Sequence, residues 1–275
     1  MKFLPTDFRA RKGAFRLTAL LSVWAVATVG SAQSGPSHAQ DFDKGRDAYQ
    51  RNHFDAARAE FHPLAEAGHA TAQYYMGNLH LRRSETKTAI AYFTKSADQG
   101  FRSAQYNLGV IFARGDGVAK DPEAAFKWYG MAAAQGHPTA QFNLGVFYRD
   151  GLGTAADGRK AIEWFTRSAE NGNVFAQINL ARIYTLGKVA PKDLTRAYMW
   201  LEIARNPFGP QANRAPSDRI ANVRNSAITA QNLLEEQISP ADIARAKERA
   251  RDWQGKLGTA GKQSRNRRHP QASAS

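Results

Sequence analysis

Four histidines, His53, His62, His69 and His80, fall within 28 residues, and imidazole is the commonest protein metal ligand. A helical zinc pair needs ligands at i, i+3 or i, i+4; no two of these histidines have that spacing, and the chain has no cysteine to complete a site. Neither a metal nor a cofactor is expected. Ser84 and Lys87 place a hydroxyl and an amine in an S-x-x-K arrangement, the nucleophile pattern of an acyl-transfer enzyme. No K-T-G or S-D-N element accompanies it, so no catalytic residue is assigned and the chain reads as non-enzymatic. The third constellation is a series of amides: Asn107, Asn143 and Asn179 recur every 36 residues. A repeated amide has two uses, as a ladder that bonds an extended peptide or as a bond to the neighbouring repeat's own backbone. Tyr74, Tyr106 and Phe142 adjoin this ladder, as aromatic anchors for a partner or as core.

The same step of 36 residues separates Trp128, Trp164 and Trp200, and the sequence around them repeats. Self-similarity at such a period marks stacked units, none of which can bury its apolar face alone. Gly68, Gly100, Gly136 and Gly172 close successive units, and Gln73, Gln105, Gln141 and Gln177 open the next; the upstream step shortens to 32 residues. Each unit reads as two helices. In the second, Ala125, Trp128, Tyr129, Ala132 and Ala133 form one apolar stripe, echoed by Ala161, Trp164, Phe165, Ser168 and Ala169, so the tryptophans are expected as core rings. The first helix carries Leu108 with Gly109 and Leu144 with Gly145. A mid-helix glycine costs ~1 kcal/mol against alanine, which places Gly77, Gly109 and Gly145 where a partner helix passes too closely for a Cβ. Ala181 stands at the same position downstream and predicts a looser crossing. Asp121 before Pro122 has the form of an N-cap followed by proline at the first helical position.

The pattern A-Q-x-N-L-G-x-x-Y, then G-x-G-V-x-x-D, then A-x-x-W-Y-x-x-A-A-x-x-G resembles the Sel-one-like repeat, a relative of the tetratricopeptide repeat, over about Asp41 to Arg205. The resemblance implies an all-α fold: a right-handed α-solenoid of about five helix-turn-helix repeats, closed by a C-terminal capping helix pair. It also implies a protein–protein interaction scaffold that binds its partner on a concave face lined by the first helices, which is where Asn107, Asn143 and Asn179 would sit. Two departures stand out: no Gly-x-Gly loop lies between Arg82 and Glu85, and His80 replaces the aromatic of later copies, Phe112, Tyr148 and Tyr184. Some cysteine-rich relatives are described as penicillin-binding, but they pin each helix pair with a disulfide. Without cysteine, a peptidoglycan or β-lactam-directed hydrolase is only the runner-up reading.

The flanks set the compartment. Arg9, Arg11, Lys12 and Arg16 precede an uncharged run from Leu17 to Gly30 and then small residues, the form of a secretory signal peptide over 1–39, cleaved after Ala39 or after Ala32. The apolar run is shorter than the ~18 residues of a membrane span. A periplasmic location follows, with an inner-membrane tether through an uncleaved anchor, or secretion as an adhesin or effector, as alternatives. The repeats then occupy 40–205, a Pro-, Gly- and Asn-rich loop 206–216, two capping helices 217–253 with Ser239 as an N-cap, and a tail 254–275. The formal charge is +14, and removal of 1–39 leaves +10; five of those charges lie in the tail, at Lys256, Lys262, Arg265, Arg267 and Arg268. Surrounded by Gly, Ser, Gln and Asn, this tail is expected to be disordered and to make at most weak electrostatic contact with anionic lipid or an envelope polymer. It has no aromatic platform for bases, so nucleic acid is not an expected partner.

If the signal peptide is cleaved as read, intact-mass spectrometry of protein from the periplasmic fraction shows a chain beginning at Gln40. A membrane-bound product that retains Trp24 overturns the reading.

Overall fold

The computed structural model describes residues 36–206 and 218–268, and all of the secondary structure among them is helical. Five helix pairs follow one another: α1 (Pro36–Gln50) with α2 (Phe54–Glu66), α3 (Ala70–Arg82) with α4 (Thr86–Asp98), α5 (Arg102–Arg114) with α6 (Pro122–Ala134), α7 (Pro138–Asp150) with α8 (Gly158–Glu170), and α9 (Val174–Leu186) with α10 (Leu194–Arg205). A sixth pair, α11 (Asp218–Glu235) and α12 (Pro240–Arg268), packs on α10. Through the repeats each helix packs chiefly on its chain neighbours, which is the α-solenoid that the period of the sequence demands. The signal-peptide and loop readings fall on residues outside the described ones, apart from 36–39 in the first turn of α1 and Asn206 at the end of α10.

Helices α3 to α9 each span 13 residues, so the change of step from 32 to 36 arises wholly in the turns. Every closing glycine has a left-handed backbone, from φ +93° at Gly68 to +76° at Gly136, as a helix C-terminus favours. Asp121, Asp157 and Asp193 cap the second helices through their carboxylates, onto the backbone N–H groups of Ala124, Lys160 and Arg196. The first helices α3, α7 and α9 are capped by His69, His137 and Asn173, each accepting a hydrogen bond from the backbone N–H three residues on. This accounts for His69, one of the four clustered histidines, and for its repeat equivalent His137: both occupy the slot that asparagine fills in the last repeat. Burial and the charge of Arg102 hold the His137 pKa below its ordinary value, which keeps the acceptor nitrogen unprotonated.

The mid-helix glycines face rings. A Cβ on Gly109 would lie 2.5 Å from Cδ1 of Tyr129, on Gly145 2.7 Å from Cδ1 of Phe165, and on Gly77 2.6 Å from Cε1 of Phe93. Gly45 repeats the relation in the first pair, 2.8 Å from Phe61. Each glycine of a first helix thus seats the aromatic of its own partner helix. At the fifth pair the relation changes on both sides at once: Ala181 replaces the glycine, and Leu201 replaces the ring.

Those aromatics, not the tryptophans, are the core rings. Phe61, Phe93 and Phe165 are fully buried, whereas Trp128 and Trp164 are half-buried and pack across the seam, each onto the apolar cluster formed by the two preceding helices. The expectation that they fill the core is corrected accordingly. Of the described tryptophans only Trp200 is buried, and Trp253 of α12 covers it edge-to-face at 4.8 Å between ring centroids. Ala246 and Ala250 of α12 and Ala227 and Leu234 of α11 are buried against the same cluster. The Ser239 hydroxyl caps α12 by accepting from the backbone N–H of Asp242. The backbone of α12 continues to Arg268, past Gln254 where a disordered tail is expected. Lys, Arg, Gln and Ala are good helix formers, and no proline interrupts the run before Pro270.

The glycine–ring pairing makes a direct test. Gly145→Ala drives a methyl into the Phe165 ring and is expected to cost about 1–3 kcal/mol despite the better helix propensity of alanine. Adding Phe165→Leu, which recreates the Ala181–Leu201 pair, is expected to recover much of that loss, so the double variant is more stable than the two single effects sum to. Urea unfolding of the four proteins measures the coupling; a neutral or stabilising Gly145→Ala overturns it.

Candidate functional site

The sequence places a polar strip on the first helices, and the structure shows what surrounds it. Asn107, Asn143 and Asn179 lie on α5, α7 and α9 and are half-buried. Nδ2 of Asn107 donates to Oδ1 of Asn78 on α3 at 3.1 Å. Asn179 accepts from the Arg149 guanidinium of α7 at 2.8 Å and donates to the Phe175 carbonyl at 2.8 Å. Asn143 shares a hydrogen bond with the hydroxyl of Tyr129 on α6, a group whose pKa burial pushes well above its ordinary value. All three amides therefore reach into the preceding repeat, and two of them do so from one first helix to the next.

Tyr74, Tyr106 and Phe142 occupy a single register one residue before the ladder, and each is half-buried. Tyr106 stacks on His137, the cap of the next first helix, at 4.5 Å and 15°. Tyr74 packs on Phe101 at 5.1 Å, and Phe142 on Phe175 at 6.1 Å. Upstream, Phe42 stacks on His69 at 5.1 Å. The rings form a second seam that runs through every repeat junction. Tyr129 joins the two series, since its ring lies 6.1 Å from Tyr106 and its hydroxyl meets Asn143.

Behind this strip lies a row that the sequence marks only as punctuation. Gln73, Gln105, Gln141 and Gln177 are buried, 2–5% exposed, and each donates Nε2 to the carbonyl eight residues earlier, of Ala65, Ala97, Ala133 and Ala169. The same carbonyls accept the N–H of the closing glycines Gly68, Gly100, Gly136 and Gly172. On the other side, Oε1 of Gln73, Gln105 and Gln141 accepts from Gln99, Gln135 and Asn171, at the end of the unit's own second helix. Each of these three glutamines thus joins three helices. Their invariant spacing to the closing glycine is the trace of this clamp in the sequence.

The remaining chemical candidates disperse. His53 precedes α2, His62 is exposed on α2, His69 is a cap, and His80 is buried with Nδ1 at 2.5 Å from Glu85. That contact holds the Glu85 carboxyl below its ordinary pKa. No group of three His, Cys, Asp or Glu side chains placed to hold a metal occurs among the described residues. Ser84 sits in the tight α3–α4 turn with φ +60° and is exposed, as is Lys87; no hydrogen bond joins them. No described helix is long and apolar enough to cross a membrane.

A stack of helix pairs with polar and aromatic seams defines an α-solenoid repeat protein. The Sel1 repeat profile matches residues 70–101, 102–137, 138–173 and 174–206 in unbroken succession. The chain belongs to the Sel1 repeat family, whose fold is typically a non-catalytic scaffold and whose members generally mediate protein–protein interaction. The first pair, α1 and α2, lies before the matched region, yet its Gly45–Phe61 and Phe42–His69 contacts repeat those of the matched units. Among solved structures, a Sel1 repeat protein from Oxalobacter formigenes is similar in fold, with a TM-score of 0.56 and 24% identity over 77% of this chain and 99% of that one. The protective antigen c5321 of uropathogenic Escherichia coli, which displays an SLR fold, matches at 22% identity over 86% of this chain and 57% of its own, with a TM-score of 0.47. A Klebsiella pneumoniae Sel1 repeat protein matches at 20% identity over 68% of this chain and 97% of its own, with a TM-score of 0.40. No curated protein sequence matches the chain.

Gln141→Leu keeps the side-chain volume but removes the buried bond to the Ala133 carbonyl and the acceptor of the Asn171 amide, which keeps its bond to the Arg167 carbonyl. It is expected to lower stability by about 1–3 kcal/mol, measured by urea unfolding. An unchanged midpoint removes the clamp from the account of how repeats join.

Proposed function

We propose that the chain is an exported, periplasmic interaction scaffold that holds a protein partner of the cell envelope along the face of its first helices. Asn107, Asn143 and Asn179 supply amides to an extended backbone, and Tyr74, Tyr106 and Phe142 supply the apolar anchors beside them. One observation carries this reading: on the successive first helices α5 and α7 a half-buried amide stands beside a half-buried ring, Asn107 beside Tyr106 and Asn143 beside Phe142, in one register that Tyr74 extends upstream and Asn179 downstream. Only part of each amide's capacity is used internally. Asn107 donates one bond, and its own oxygen accepts none from the described residues. An extended segment that crosses several repeats would meet a ring, an amide or both at each step, which is how a weak contact accumulates into binding. The basic run near the C-terminus offers an auxiliary electrostatic contact to anionic lipid or envelope polymer.

A photo-crosslinking residue at Phe142 and another at the exposed Lys127 of α6 test the assignment in the envelope of intact cells. The first is expected to give a discrete protein adduct and the second none. The adduct is expected to weaken strongly when Asn107, Asn143 and Asn179 are all replaced by alanine, while stability falls only modestly, since a part-exposed hydrogen bond is worth ~1 kcal/mol. Adducts at Lys127 alone, or a triple variant that unfolds outright, overturn the placement of the partner.

A further inference from the structure

The shortened α3–α4 turn leaves a vacancy with its own chemistry. In the later repeats, the Gly-x-Gly loop between the two helices of one unit presses on the start of the second helix of the unit before. A Cβ on Gly117 would lie 2.5 Å from Oγ1 of Thr86, at the start of α4, and one on Gly153 2.2 Å from the Pro122 carbonyl, at the start of α6. The corresponding cover for the start of α2 would come from a loop between α3 and α4, where only Arg83, Ser84 and Glu85 stand. A cleft of about 340 Å³ occupies that place, between the start of α2 and the end of α3.

Phe54 and Leu79 give the cleft an apolar floor, and three of its lining residues are arginines. Arg83 faces Asp55 at 3.7 Å, and the nearby Glu85 is taken up by His80 at 2.5 Å. Arg58 and Arg82 have no ion-pair partner among the described residues. Arg82 lies over the Phe54 ring, 3.8 Å from its centroid. A guanidinium stacked on a ring keeps its N–H donors free, because they lie in its plane and point away from the stack. Two unpaired guanidinium groups beside an apolar floor match a carboxylate next to an aliphatic side chain. The volume is at the lower end of the ~300–1,000 Å³ of ligand pockets, enough for one or two side chains and not for a domain. The apolar floor gives an aliphatic side chain a surface that inorganic phosphate cannot use, which favours a side-chain carboxylate over free phosphate.

We propose that this cleft is a second interaction site, which takes an acidic side chain flanked by an aliphatic one from a protein partner. It rests on the reading of the chain as an interaction scaffold and shares no lining residue with the asparagine ladder. The site arises because the deletion removes the cover of one helix start while the guanidinium groups around it remain. The cleft supplies specificity for acid, and the ladder supplies length.

The test is an NMR titration of the folded chain with N-acetyl-Leu-Glu-Leu-amide, its Leu-Gln-Leu analogue and inorganic phosphate. The glutamate peptide is expected to shift the Nε–H resonances of Arg58 and Arg82 and the amide of Phe54, with a dissociation constant of about a millimolar. The glutamine analogue and phosphate are expected to bind at least about tenfold more weakly. The double variant Arg58→Gln/Arg82→Gln alters two exposed side chains, so its thermal melt is expected to fall by no more than about 2–4 °C through loss of the Arg82–Phe54 stack, while its affinity for the glutamate peptide falls by about tenfold or more. No shifts at saturating peptide, equal binding of the glutamine analogue, preferred binding of phosphate, or full affinity in the double variant each overturns the site. The Asn107/Asn143/Asn179→Ala variant keeps the cleft. Peptide binding retained there alongside a lost envelope adduct separates the two surfaces.

Discussion

A buried side-chain amide that touches three helices is the contact on which the stack depends. In an open solenoid no long-range strand or disulfide closes the structure, so the junctions between consecutive repeats must be made good one at a time. Each glutamine of the Gln73 series does this at the point where the backbone is most exposed to loss. The end of a helix leaves carbonyls without intrahelical partners, and burying them unpaired costs ~1–3 kcal/mol apiece. The closing glycine returns its N–H to one such carbonyl, the glutamine donates a second bond to it, and the glutamine oxygen then receives the amide at the end of the next second helix. Three helix positions are fixed by a group with two donors and one acceptor, which is why a hydrophobe cannot replace it.

The end of such a stack needs a different solution, because the last repeat has no successor. Here α11 and α12 supply it. Trp253 lies against Trp200, Tyr198 donates its hydroxyl to Glu235 at 2.5 Å, and Gln231 donates to Glu202 at 2.8 Å. The glycine–ring pair relaxes to Ala181 and Leu201 in this unit. The position can lose its ring because α12 now contributes the apolar surface that a sixth repeat would have provided.

Much of this was legible in the chain, since a period fixes which positions are equivalent. The helix pairs, the left-handed glycines, the Asp121 cap, the Ser239 cap and the terminal pair all follow from local chemistry at repeated sites. What periodicity cannot say is which neighbour constrains a position. The tryptophans recur as strictly as the alanines beside them, yet at 128 and 164 they answer to the seam and not to the core, while the less uniform series Phe61, Phe93, Tyr129 and Phe165 fills the interior. The ring series hid in plain composition for the same reason: Phe42, Tyr74, Tyr106 and Phe142 meet a histidine, a phenylalanine, a histidine and a phenylalanine in turn, and no single motif expresses that. The asparagines were equally ambiguous as sequence, because an amide that reaches the preceding repeat and one that offers itself to a partner look alike until its bonds are drawn.

The contrast between the glutamines and the α3–α4 turn shows how such a fold separates stability from recognition. Loss of four residues from a turn leaves both helices at full length and both clamps, at Gln73 and Gln105, in place. In a globular core a comparable deletion would propagate through the packing. In a stack whose contacts join nearest neighbours, the change stays local and shows only as an uncovered helix start with arginines around it. Turns between helices are thus where a repeat protein can acquire a site without disturbing the contacts that hold it together, and the one unit here that departs from the 36-residue step in an internal position is the unit that carries a cleft.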